Sequence, residues 1–276
     1  MVYIELNIKM NPENPLMEIV MVELGELDFE SFVDTEDGML AYIQETLFDE
    51  KAIQNMQIIK ENPSLFSYTF QKMEDKNWNE VWESNYDAVV IKNRCGIRAP
   101  FHPANKDIEF DLVIMPKMSF GTAHHETTSN MIEFLLEENL KNKSVLDMGC
   151  GTSVLAILAA KLGARDVVAI DNDEWAYNNS LENIVMNNVP DIKVFLGDAS
   201  LLPSMHFDVI IANINRNILL NDIQAYALSL NSNGVLLMSG FYEQDIPIIK
   251  EECAKYDLAF ERYISKNNWV AVRFIK

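Results

Sequence analysis

Residues 144–173 open as Ser144-Val145-Leu146-Asp147-Met148-Gly149-Cys150-Gly151-Thr152-Ser153. They continue as Val154-Leu155-Ala156-Ile157-Leu158-Ala159-Ala160-Lys161-Leu162-Gly163 and close on Val167-Val168-Ala169-Ile170-Asp171-Asn172-Asp173. The residue types run strand, tight glycine turn, apolar helix, second strand, then a carboxylate at that strand's end. Residues 145–148 form a short apolar run ending in a turn, the pattern of a buried parallel strand. Gly149 and Gly151 can adopt positive φ and let a ligand lie against bare backbone. The interval from Gly149 to Asp171 matches a nucleoside-binding βαβ unit, in which an acidic residue about 20 positions on grips the ribose hydroxyls.

Two details narrow the choice of nucleoside. The third glycine of a dinucleotide fingerprint is replaced by Val154, and Asp147 stands immediately before the turn. A carboxylate there repels a pyrophosphate at a helix N-terminus. It suits a ligand with a positive charge and no phosphate, and S-adenosylmethionine, a sulfonium joined to an amino acid and an adenosine, has both properties.

Working outward, the chain has 276 residues, enough for one large or two modest domains. Its 42 acidic residues against 22 basic ones give a net charge of −20. That balance argues against a general phosphate-backbone binder and favours capture of a cationic partner. Cys95, Cys150 and Cys253 lack a pairing pattern and fit a reducing compartment. The chain starts without a basic stretch leading into a long apolar run, and no run is long enough to span a bilayer, so a cytoplasmic location without membrane attachment is expected.

Residues 1–73 read as a small α+β domain. Residues 2–8 alternate apolar and polar as a half-buried strand, and Asn14-Pro15 opens a helix to about Leu24. Apolar runs at 29–33 and 39–43 flank Thr35-Glu36-Asp37-Gly38, a hairpin signal. A helix over 49–60 and a strand over 65–72 complete the β-α-β-β-α-β order of a ferredoxin-like domain. RNA-recognition modules share that topology. Here, however, the glycine and paired aromatics of their RNA-contacting strand are missing and the unit is acidic, so protein recognition is expected instead. Residues 74–90, with Trp78 and Trp82 at helical spacing, read as a linker helix, and residues 91–276 as the ligand-binding domain.

The loop Met118-Ser119-Phe120-Gly121-Thr122-Ala123-His124-His125-Glu126-Thr127-Thr128-Ser129 precedes a helix over 130–140. Thr127, Thr128 or Ser129 is expected to supply its N-cap. Adjacent histidines without acidic or cysteine partners at ligand spacing do not make a metal site, and no metal is expected. A loop that closes over the cofactor is the better use. Beyond Asp171 the alternation continues: helix 174–186, strand 193–196, strand 207–212, helix 219–230, strand 235–239 after an Asn233-Gly234 turn, helix 246–256, and a hairpin of 259–264 with 269–275. Two successive strands after βα units imply one antiparallel strand in an otherwise parallel sheet. Asp147, Asp171, Asp198 and Asn213 all fall at the carboxyl ends of strands, where open α/β sheets bind ligands.

With its Phe120-Gly121-Thr122-Ala123-His124-His125-Glu126-Thr127-Thr128 loop, its Asp147-Met148-Gly149-Cys150-Gly151 turn and Ala212-Asn213-Ile214, the chain resembles the PrmA-type ribosomal protein methyltransferases. The resemblance implies a Rossmann-like class I methyltransferase domain with a mostly parallel seven-stranded sheet. It also implies transfer of methyl groups from S-adenosylmethionine to amino groups of large-subunit ribosomal protein L-eleven (L11), on lysine side chains or the N-terminal amine. By motif it implies that Thr128, Gly149, Asp171 and Asn213 contact the cofactor and that Thr127 and Asn213 stand near the incoming amine; Phe120 and Gly121 of the loop, Asp147 and Gly151 at the turn and Asp198 at its strand end are expected to contact the cofactor too. Two departures stand out. Ala123 occupies a position where the family usually has glycine, and Thr152-Ser153 replaces the commoner Ser-Gly.

A lysine amine must lose its proton before it attacks, and desolvation in an apolar pocket assists that. Hydroxyl and amide groups around Thr127 and Asn213 could orient the lone pair, with His125 as an alternative proton acceptor. Cys150, between two turn glycines, reads as a small buried filler rather than a nucleophile. Methylation of a nucleic-acid base would call for prolines and an aromatic after Asn213, whereas the sequence reads Asn213-Ile214-Asn215-Arg216. A methyltransferase acting on another basic protein or a small molecule, and a non-catalytic cofactor-binding assembly factor, are the remaining alternatives.

Overall fold

The computed structural model describes residues 2–11, 14, 16–35, 37–63, 65–73, 87–117 and 120–276. The chain divides into two compact units, Met1–Asn85 and Tyr86–Lys276. The expected linker helix, with Trp78 and Trp82, falls almost wholly outside the described residues.

In the first unit β1 (Tyr3–Lys9), α1 (Leu16–Glu26), β2 (Ser31–Thr35), β3 (Gly38–Gln44), α2 (Glu50–Asn55), α3 (Gln57–Glu61) and β4 (Ser67–Lys72) follow in order. The strands pair antiparallel in the order β2-β3-β1-β4, the ferredoxin-like arrangement. Alternation along β1 buries Ile4, Leu6 and Ile8 against Val20 and Leu24 of α1, in one apolar cluster. The Asn14 side chain caps α1, accepting the Leu16 N–H at 3.1 Å. The single helix expected over 49–60 is two, broken at Met56, whose backbone (φ −53°, ψ 135°) is extended rather than helical. The break lets Ile53, Met56 and Ile58 all reach the core, which one continuous helix would not allow.

The second unit opens with a small sheet of β5 (Val89–Ile91), β6 (Cys95–Arg98) and β7 (Phe110–Val113). There follow α4 (Glu126–Glu137), β8 (Ser144–Met148), α5 (Val154–Lys161), β9 (Asp166–Asp171), α6 (Glu174–Met186), β10 (Lys193–Leu196), β11 (Phe207–Asn213), α7 (Arg216–Ser229), β12 (Leu230–Tyr242), α8 (Ile246–Ala254), β13 (Ala259–Lys266) and β14 (Trp269–Ile275). The seven strands β8–β14 lie in the order β10-β9-β8-β11-β12-β14-β13. All are parallel except β14, which pairs antiparallel with both neighbours. This is the sheet the sequence led us to expect. Strand residues alternate between two apolar layers: Val145, Val167 and Val209 face one, Leu146, Val168 and Ile210 the other. One strand differs from expectation. Asn233-Gly234 does not separate β12 from the helix before it, because β12 begins at Leu230 and carries Asn233 at φ 61° within it.

Candidate active site

The carboxyl ends of β8, β9 and β11 meet at the middle of the sheet, where the chain reverses its direction of winding. A cavity of about 730 Å³ opens there, walled by Gly149, Gly151, Asp171 and Asn213 from the strand ends, by Phe120, His125 and Thr127 from the loop and α4, and by Trp175 and Trp269.

The glycine turn is held from both sides. Gly149 and Gly151 take φ 68° and 55°, and the Gly149 and Cys150 N–H groups both donate to the Ile170 carbonyl, at 2.8 and 3.1 Å. The Asp171 carboxylate accepts the Gly151 N–H at 2.8 Å through Oδ2 and the Asp173 N–H at 3.0 Å through Oδ1. Each carboxylate oxygen keeps a lone pair for a further donor, as a ribose hydroxyl would be. The loop can pack on this turn only because Gly151 has no side chain: a Cβ there would stand 2.2 Å from the Phe120 carbonyl oxygen. Bare left-handed backbone, a braced carboxylate and a roomy apolar wall fit the adenosine portion of S-adenosylmethionine.

The expected site residues separate into two sets. Phe120, Thr127, Gly149, Gly151, Asp171 and Asn213 line the cavity. Gly121, Thr128, Asp147 and Asp198 do not. Gly121 stands behind the turn, its carbonyl accepting the Thr152 hydroxyl at 2.7 Å. Asp147 is buried, with Oδ2 accepting the Ala156 N–H at 3.0 Å at the N-terminal turn of α5. Burial pushes its carboxyl up to about 7 against the opposing pull of that N–H, and the nearby Asp171 charge adds to the rise. Asp198 is an N-cap, accepting the Ser200 N–H at 2.9 Å. Thr128 acts through its neighbour, since its hydroxyl oxygen accepts the Asn213 Nδ2–H at 3.2 Å. Cys150 is buried among Ser153 and Ser180, and burial pushes its thiol up to about 12, which suits a filler and not a nucleophile.

One expectation is corrected. None of Thr127, Thr128 and Ser129 caps α4; the cap is His125, whose Nδ1 accepts the Thr127 N–H at 3.2 Å. The helix therefore starts four residues earlier than residue 130, and its first turns bury all three hydroxyl residues. Histidine is not among the usual caps, so residue preference pointed past it.

Trp175, Trp269, Ile214, Asn215 and Gly240 also line the cavity and were not anticipated. Trp175 had a readable signal, a large aromatic two residues beyond the Asn172-Asp173 turn on the first turn of a polar helix, and it is 79% exposed. Trp269 had none. It comes from β14, which lies beyond β12 in the sheet and whose Trp269 carbonyl accepts the Asn130 Nδ2–H at 3.1 Å.

Residues 9–276 match the family model described as Ribosomal protein L11 methyltransferase (PrmA). The chain belongs to the ribosomal protein L11 methyltransferase family. Family members of the same name include one from Phocaeicola vulgatus, 50% identical over 279 residues covering 100% of this chain and 99% of the relative. Another, from Chlorobaculum tepidum, is 34% identical, covering 94% and 92%. Among solved structures, ribosomal protein L11 methylase from Lactobacillus delbrueckii subsp. bulgaricus is 26% identical and superposes with a TM-score of 0.63, covering 68% of this chain and 98% of that one.

Proposed function

We propose that this chain transfers methyl groups from S-adenosylmethionine to amino groups of ribosomal protein L11. The relatives' names supply the substrate, and one observation supports the chemistry: Asn213 Oδ1 is buried on the cavity wall without a hydrogen-bond partner, while its Nδ2–H is tied to Thr128. An orphaned amide oxygen is costly unless a ligand donates to it, and a primary amine does so. S-adenosylmethionine supplies an electrophilic methyl group on a sulfonium when bound. The residues present do the rest. Gly149, Gly151 and Asp171 hold the nucleoside end, Phe120 and Trp269 exclude water, and Asn213 turns the amine so that its lone pair faces the methyl group. The amine arrives in the cavity as R–NH3⁺ and must shed a proton before it attacks. The apolar aromatic wall disfavours the charged form and assists that loss.

In this reading the acidic ferredoxin-like unit recognises the basic protein substrate, and the enzyme works in the cytoplasm, where ribosomal proteins are made. No helix among the described residues is long and apolar enough to cross a membrane.

The test is intact-mass spectrometry of purified L11 incubated with the enzyme and S-adenosylmethionine. Successive increments of one methylene, mapped to lysines or the N-terminal amine, are expected. An unchanged mass alongside measured cofactor binding would remove L11 as substrate. In the same assay Asn213→Ala is expected to lower turnover more than cofactor affinity, and an equal loss in both would remove its positioning role.

A further inference from the structure

The capping bond on α4 fixes more than a helix end. The Thr127 N–H is a backbone donor and can only donate, so the His125 Nδ1 that it meets at 3.2 Å carries a lone pair and no proton. The neutral ring therefore holds its proton on Nε2. Thr127 Oγ1 lies 2.8 Å from the same Nδ1. With no proton on that nitrogen, the contact is a hydrogen bond only if the Thr127 hydroxyl donates it. A hydroxyl has one hydrogen, and here it points back at the imidazole. What Thr127 Oγ1 has left is lone pairs, on a residue that lines the cavity.

The ring is also braced against rotation about its own axis. Its centroid is 4.7 Å from that of Trp269, edge to face, and 5.3 Å from that of Phe120. A flip that exchanged Nδ1 for Cδ2 would leave both the Thr127 N–H and the Thr127 hydroxyl without an acceptor at once.

We propose that His125 is a positioning residue, a fixed hydrogen-bond acceptor that makes Thr127 an acceptor-only oxygen, and not the proton acceptor of the reaction. The neutral ring has a single basic lone pair, on Nδ1, and two donors from Thr127 already occupy it. Taking up a proton there would release the helix cap and turn the Thr127 hydroxyl. Thr127, which lines the cavity, then carries an oxygen that accepts and does not donate, and so does its neighbour in the lining, Asn213, through its buried and unpartnered Oδ1. That pair selects a substrate rich in N–H, an amine or ammonium, over a carboxylate or a carbonyl, which bring acceptors to acceptors. The assignment rests on the proposed function for the identity of the amine, while the tautomer stands on the geometry alone.

Two experiments separate these layers. Asparagine places its Oδ1 near the position of a histidine Nδ1 and is a good N-cap. His125→Ala is expected to lower kcat on L11 by about tenfold, the worth of one neutral hydrogen bond, with cofactor affinity changed much less. His125→Asn is expected to recover most of that loss. If His125→Asn is as inactive as His125→Ala, and added imidazole restores both, then the ring is a base and the proposal is wrong. Second, ¹⁵N NMR of the histidine-labelled wild-type enzyme at neutral pH reads the tautomer with no substrate present. A pyridine-like Nδ1 and a pyrrole-like Nε2 for His125 are expected, and the opposite assignment overturns the proposal. A wild-type enzyme that leaves L11 unmodified would sink the proposed substrate and leave the NMR result to decide the role of His125.

Discussion

Two pairs of residues at and around the cavity hold left-handed backbone for unlike reasons. Gly149 and Gly151 are the expected kind, at φ 68° and 55°. Ala123 and Ser153 carry side chains at φ 66° and 61°. An L-residue there is disfavoured by about 1–2 kcal/mol. What separates the pairs is the space beyond the Cβ. At Gly151 it would meet the Phe120 carbonyl oxygen at 2.2 Å, and at Gly149 the Ile214 Cγ2 at 2.2 Å. Ala123 instead sinks its methyl into the apolar cluster beneath the sheet, and Ser153 donates from Oγ to Ser180 Oγ at 2.8 Å. The strain of left-handed backbone is tolerated where a side chain finds a contact, and glycine is obligatory only where it would find a collision.

The largest effect is expected of Gly151→Ala. The obstacle is backbone, and the same Phe120 carbonyl accepts the Thr152 N–H at 2.9 Å, so the loop cannot yield without releasing the turn. Strain of about 1–2 kcal/mol and overpacking of about 1–3 kcal/mol add up to a loss on the order of a hundredfold in S-adenosylmethionine affinity, read by calorimetry. Wild-type affinity in this variant would refute the idea that collision, and not φ, defines the obligatory glycines. Gly149→Ala should do less. Its obstacle is the branch of one isoleucine, which can rotate, and a loss of about tenfold is expected from strain alone. Because Ile214 adjoins Asn213, that loss should fall more on kcat than on cofactor binding, and a purely binding defect would argue against the link.

The same distinction explains what the sequence disclosed. The sheet and its antiparallel β14 were legible because each rests on local signals: apolar runs of strand length, a glycine turn, and two strands in succession at the end. The β-α-β-β-α-β order of the first unit was legible for the same reason, although the break at Met56 was not, since it answers to the shape of the core. At the site, Gly149, Gly151, Asp171 and Asn213 could be found because topology alone brings strand ends together. Asp147 and Asp198 sit at strand ends too, yet hydrogen bonds to Ala156 and Ser200 turn them to other tasks. Side-chain direction is a tertiary property, and neither spacing nor residue type reports it. Trp269 and the capping role of His125 were hidden likewise, the first by 139 residues of separation from its Asn130 contact, the second by a residue preference that tertiary packing overrode.

Ser153 tests the second half of the comparison through two substitutions with opposite consequences for strain. Its Oγ belongs to a buried chain in which Ser180 Oγ donates on to the Gly151 carbonyl at 2.8 Å. Ser153→Ala keeps the Cβ at positive φ and loses the hydrogen bond, which should lower stability by about 1 kcal/mol. Ser153→Gly loses the same bond but releases strain of similar size, so its melting temperature should lie between those of Ser153→Ala and the wild type. Calorimetric melting of the three proteins gives the order directly. If Ser153→Gly melts below Ser153→Ala, the backbone at this position is not strained and the two pairs differ for some other reason.

Ala123→Gly should have the smallest effect of all, because three terms nearly cancel. Releasing the left-handed strain favours the variant by about 1–2 kcal/mol. Losing a buried methyl costs about 0.8 kcal/mol, and the added freedom of the unfolded chain about 0.4–1 kcal/mol more. The backbone bond at this residue survives, since the Ser129 hydroxyl donates to the Ala123 carbonyl, at 3.0 Å, whatever the side chain. The melting temperature should therefore stay within about 3 °C of the wild type. A rise well beyond that would mean the methyl is strained in place and that this chain holds alanine against its own stability. A fall of the same size would mean the methyl fills its site so well that glycine was never the better residue here. Either result would leave Gly151 and Ala123 as opposite answers to one backbone geometry, and would fix which term, packing or strain, decides between them.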